Sequence, residues 1–164
     1  MSAERLLQSL QKLLVLHQNL LNLTKNKTEI LKSGDMEALN LQMNEENKYI
    51  LAIKQIENDR IKQVQQILQN YRLREEEQTL SKCIDFTVEP VKSKLRSTQL
   101  ELTRVIDELK KENELNQQLI QQSLQFVNAS IGMLRPETQT TNYKHPEKKQ
   151  STDTGNRSMF DSKA

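Results

Sequence analysis

The chain has 164 residues, with 24 basic and 22 acidic side chains, 35% hydrophobic and 4% aromatic residues, three Gly, three Pro, one Cys and no Trp. So few turn formers exclude an all-β sandwich or barrel, and the glycines stand too far apart to build a phosphate-cradling loop. A net charge of only +2 gives no reason to expect a nucleic-acid groove or attraction to an anionic membrane. The single Cys83 excludes a disulfide framework, and no N-terminal apolar run reads as a signal peptide or a membrane span. The expectation is a soluble, cytoplasmic, all-α protein made of long two-faced helices.

The first element opens on Ser2-Ala3-Glu4, an N-cap residue with an acidic side chain in the first turn. Leu6, Leu10, Leu13, His17, Leu20, Thr24, Lys27 and Leu31 follow in steps of four and three, and Leu7, Leu14 and Leu21 widen that stripe. Ser33-Gly34-Asp35 ends the helix and caps the next, which predicts a first helix over about residues 3–32. The second, over about residues 36–71, carries Met36, Leu39, Met43, Glu46, Ile50, Ile53, Glu57, Arg60, Val64, Ile67 and Tyr71 in the same alternation. Three charges interrupt this seam, and Glu57 and Arg60, three apart, are spaced to pair on one face. The short connection makes helices one and two antiparallel neighbours.

Residues 72–90 read as an interruption: a solvated Glu75-Glu76-Glu77 run, a short helical turn near 79–84, then the β-branched Thr87 and Val88. Pro90 suits the first position of a third long helix over about 90–134, some 66 Å at 1.5 Å per residue. Its main stripe runs Val91, Leu95, Thr98, Leu102, Val105, Leu109, Asn113, Asn116, Ile120, Leu124, Val127, Ile131 and Leu134. Asn113 and Asn116 place two amides in this seam, where such groups fix register at a cost in stability. The helices form one domain, residues 1–134, arranged as a long antiparallel hairpin extended to a three-helix bundle or coiled coil. Residues 135–164 hold only Tyr143, Met159, Phe160 and Ala164 as hydrophobic residues and read as a flexible polar tail. The tail carries six basic and four acidic residues, so the whole excess of +2 sits there.

Chemistry-bearing constellations are missing from the sequence. His17 and His145 are the only histidines, one on a helix seam and one in the tail, which predicts no metal site. Cys83 lacks a nearby His and reads as a packing residue. Carboxylates follow helix-surface spacing and none stands out as a tuned acid or base, so neither catalysis nor a cofactor is expected. Basic residues alternate with acidic ones and lack aromatic partners, so no nucleic acid is expected either.

The end of the third long helix is the feature that such a fold does not require. Leu115, Leu119, Gln122, Phe126, Ala129 and Met133 form a second stripe beside the main one, which doubles the apolar arc. Three coverings are open: packing against both other helices, an amphipathic helix from a partner, or self-pairing in a homodimer that serves as a coiled-coil structural protein.

Together, the Leu-rich first helix, Glu46 with Glu57-x-x-Arg60 on the second, and Asn113-Glu114-Leu115-Asn116-x-x-Leu119-Ile120 on the third resemble the FlgN family of flagellar export chaperones. The closing Met159-Phe160-Asp161-Ser162-Lys163-Ala164 is similar to the terminus of Gram-positive members. The resemblance implies a non-enzymatic chaperone of type III flagellar secretion, with the hook–filament junction proteins FlgK and FlgL as clients, held by their amphipathic C-terminal segments. It also implies that Tyr143, placed beyond the last helix, docks onto the export gate protein FlhA. With the doubled stripe, the candidate client-binding residues are Leu115, Leu119, Ile120, Phe126, Val127 and Met133, while Glu46, Glu57, Arg60, Asn113 and Asn116 carry the family pattern and a structural role.

Overall fold

A computed structural model describes residues 2–135, and these residues are all-α, with no strand among them. Helix α1 spans Ser2–Ser33, α2 Met36–Leu68, α3 Leu80–Phe86 and α4 Val91–Leu134, with a single 3-10 turn at Glu75–Glu77. Gly34 takes φ 73°, the left-handed conformation that closes a helix at no steric cost. Asp35 then accepts a hydrogen bond from the Ala38 amide at 3.0 Å and starts α2. Two residues therefore reverse the chain, and α1 and α2 run antiparallel, cross-linked by Lys27 to Glu46 and Asn26 to Gln42.

Three boundaries depart from the sequence expectation. Helix α2 stops at Leu68, short of residue 71, because Tyr71 leaves the helix to stack on Phe86 of α3, ring centroids 4.3 Å apart. The short turn expected near 79–84 is α3, capped by the Thr79 hydroxyl on the Lys82 amide and extended to Phe86. Pro90 stands one position before α4 rather than at its first residue, and the carboxylate of Glu89 accepts from both the amide and the hydroxyl of Ser93. Those two bonds hold the Glu89 carboxyl below its ordinary range.

Helix α1 lies between α2 and α4 and packs along both, whereas α2 and α4 make no comparable contact with each other. Packing of the third long helix against both others is corrected accordingly: α4 rests on α1 and, at its start, on α3. The hydroxyl of Thr28 meets Asn116, and Lys25 lies 3.8 Å from Glu108, so α4 runs parallel to α1. Helix α2 ends and α4 begins at the same end of the bundle, joined there through α3.

Burial changes character along the bundle. At one end Leu6, Leu10 and Leu13 of α1, Val64 and Leu68 of α2, Cys83 and Ile84 of α3, and Leu95 and Leu102 of α4 form one apolar core. Cys83 is fully enclosed there, and burial pushes its thiol up to about 11, as a packing residue requires. Toward the other end the buried residues are polar: Thr24, Thr28, Gln42, Glu46 and Asn116. None of the described helices is long and apolar enough to cross a membrane.

Candidate partner-binding surface

The polar layer sets where α4 stands against α1. Asn116, only 2% exposed, accepts from the Thr28 hydroxyl at 2.6 Å and donates from its side-chain nitrogen to the Thr24 carbonyl at 2.9 Å. A buried amide satisfied on both sides by one neighbouring helix has a single good register. Asn113, which the stripe placed in the same seam, is exposed instead. Its amide is open to water and needs no protein partner.

Because Thr28 and Asn116 sit level and both helices rise equally, Ser33 at the end of α1 comes level with Gln121. Everything in α4 beyond that point projects past the body. From Ile120 the α1-facing row continues into this overhang through Leu124, Val127, Ile131 and Leu134, and all five are exposed, Leu134 to 82%. Leu115, Phe126 and Met133 of the second stripe are exposed too, Met133 to 86%, while Leu119 is half-buried. Thus five of the six sequence candidates, Leu115, Ile120, Phe126, Val127 and Met133, present open apolar surface on one helix. Leu124, Ile131 and Leu134 are exposed as well, in one row with Ile120 and Val127, although the stripe alone places them in the seam. The length mismatch between the first and third long helices is the signal that α1 runs out beneath them.

The charges that interrupt the α2 seam are each met. Glu46, buried with α1, takes Lys27 at 2.7 Å, so the polar break in one seam answers the polar break in the other. Glu57 and Arg60 form the expected pair three residues apart, bidentate at 2.8 and 2.5 Å. They border a cleft of about 550 Å³ between the splayed α2 and α4, floored by Leu10, Leu13 and His17 and walled by Ile53, Ile61, Leu102 and Ile106. The Leu13 carbonyl lies 2.7 Å from Nδ1 of His17, which places the imidazole proton on that nitrogen. Sequence periodicity carries no sign of this cleft, since it follows from how far two helices stand apart. Tyr143 lies outside the described residues.

Compared with known proteins, the chain is 40% identical to the uncharacterized protein YvyG of Bacillus subtilis (strain 168) over 164 residues, which spans the full length of both. No solved structure gives a significant match. Among protein families it matches FlgN, described as FlgN protein, over residues 1–151. With the long helices, the polar register layer and the exposed apolar end of α4 in place, this chain belongs to the FlgN family of flagellar export chaperones.

Proposed function

We propose that the protein acts in the cytoplasm as the export chaperone of the hook–filament junction proteins FlgK and FlgL. It holds their amphipathic C-terminal segments, prevents premature assembly and delivers them to the export gate. The observation that carries this reading is the apolar surface of distal α4, where Leu115, Ile120, Phe126, Val127 and Met133 are exposed. Leu119 completes the set. Burying one Leu- or Phe-sized side chain contributes roughly 1.5–3 kcal/mol. A handful of them, offset by the association cost, supports an affinity of about micromolar, strong enough to hold a client and weak enough to release it.

Pull-down with the C-terminal segments of FlgK and FlgL tests the client role. The pair Leu119→Asp and Phe126→Asp is expected to weaken capture at least tenfold, and undiminished capture removes these residues from the site. Sedimentation separates the chaperone from a self-pairing structural protein. A monomer forming a one-to-one client complex is the chaperone; a tight dimer that refuses both segments is the structural protein.

Delivery to FlhA is assigned to Tyr143, a residue the family match takes in. Tyr143→Ala is expected to leave client affinity unchanged and to weaken capture of the FlhA cytoplasmic domain. Loss of client affinity instead would place Tyr143 in the client site.

A further inference from the structure

The overhang of α4 has two properties that, taken together, say what kind of helix it accepts. Its exposed row is a direct continuation of an interface already made. Leu95, Thr98, Leu102, Val105 and Asn116 face α1, and the same steps of three and four carry on through Ile120, at the end of α1, to Leu124, Val127, Ile131 and Leu134 beyond it. Aliphatic residues at this spacing form the seam into which a second helix packs knobs into holes. The place that such a helix would take is the line that α1 vacates at Ser33.

The second property is charge. From Leu115 through Leu134 there are twenty residues without a single Asp, Glu, Lys or Arg, bounded by Glu114 and Arg135, in a chain where 28% of residues are charged. The positions that flank the seam, where coiled coils carry the charges that select partners and orientation, are Gln121, Ser123, Asn128 and Ser130. An uncharged flank neither repels nor rewards either sign. Its polar side chains can donate to or accept from whatever a partner helix presents.

We propose that distal α4 is a charge-blind docking seam, which accepts an amphipathic helix of about four turns from a partner protein in line with α1 and selects it by its aliphatic row alone. This rests on the chaperone reading above and deepens it, since such a seam serves more than one client whose flanking charges differ. Continuity with the α1–α4 packing argues for a helix as occupant, and the missing charges argue against a partner recognised electrostatically.

The full-length chain is titrated by calorimetry with three designed 18-residue amphipathic helices that share one Leu/Ile row. Their flanks are all Gln and Ser, Glu-rich, or Lys-rich. Affinities within about threefold of one another, and unchanged between about 50 and 500 mM NaCl, are expected, because screening has no interfacial charge to act on. Leu124→Asp with Ile131→Asp is expected to weaken all three at least tenfold while the melting temperature of the body stays put. Placing charge on the flank, as Gln121→Glu, Ser123→Glu and Asn128→Glu together, is expected to make the Lys-rich helix the preferred one at least tenfold and to bring in salt dependence.

Tenfold discrimination between the Glu-rich and Lys-rich helices by the unmodified chain overturns charge-blindness. Undiminished binding by the Leu124→Asp, Ile131→Asp variant overturns the seam. Failure of all three helices, with a dimer in sedimentation that this variant dissolves, identifies a second copy as the occupant and overturns the partner assignment. Designed helices that bind while the FlgK and FlgL segments do not would leave the seam standing and remove the client reading. Segments that bind regardless of the seam variant would do the reverse.

Discussion

Asn116 is a small residue with a large structural consequence. Its two hydrogen bonds to α1 are made away from water, where leaving a partner unpaired costs about 1–3 kcal/mol. Asn116→Ala is therefore expected to lower stability by about that amount in urea unfolding. Thr28→Val with Asn116→Leu removes donor and acceptor together and is expected to cost less than the sum of the single changes, a coupling of at least about 0.5 kcal/mol in the double-mutant cycle. Additive costs would show that the two side chains do not act as one unit. The sequence identifies both seam amides but does not separate them. Spacing places Asn113 and Asn116 on one stripe, and the line that α1 takes along α4 decides which of them is enclosed. Lys27 and Glu46 show the favourable case, since opposite charges at matching points of two antiparallel seams are legible from the spacing itself.

At the level of elements, periodicity and capping locate the long helices well. Gly34 and Asp35 end one and begin the next by local backbone chemistry, which sequence reports directly. The end of α2 is less legible because Tyr71 fits the helical stripe, and a tertiary partner, Phe86, draws it out. The overhang of α4 contains its own weak point. Gly132 sits inside the last turns, and a methyl group added there meets nothing within 4 Å. Gly132→Ala is therefore expected to stabilise the exposed end of the helix by about 0.5–1 kcal/mol. Slower amide exchange over the residues around it would report this, and unchanged exchange would show that these turns are already held by something else. The apolar stripes themselves are visible in sequence, yet their exposure is not. A stripe records what a helix offers, and the neighbour's length decides what is taken.

For the molecule as a whole, the body and the overhang are separable in energy. Beyond about Gln121, where α1 ends, every residue of α4 through Leu134 except Ser130 is exposed. A chain ending after Gln121 is therefore expected to unfold within a few degrees of the full-length protein while losing its hold on the client segments. A large drop in melting temperature would mean that the overhang supports the core. The splay of α2 from α4, invisible to any one-helix pattern, is what makes α1 the shared spine of the fold. Its parallel course with α4 has a further consequence for traffic through the molecule. The α1–α2 reversal, the vacated line beyond it and the exit of the chain at Arg135 all come to one pole, with the apolar core and the amino terminus at the other. A client held on distal α4, as proposed above, would lie at this pole, and the opposite pole is then the place for a reporter that leaves the client surface free.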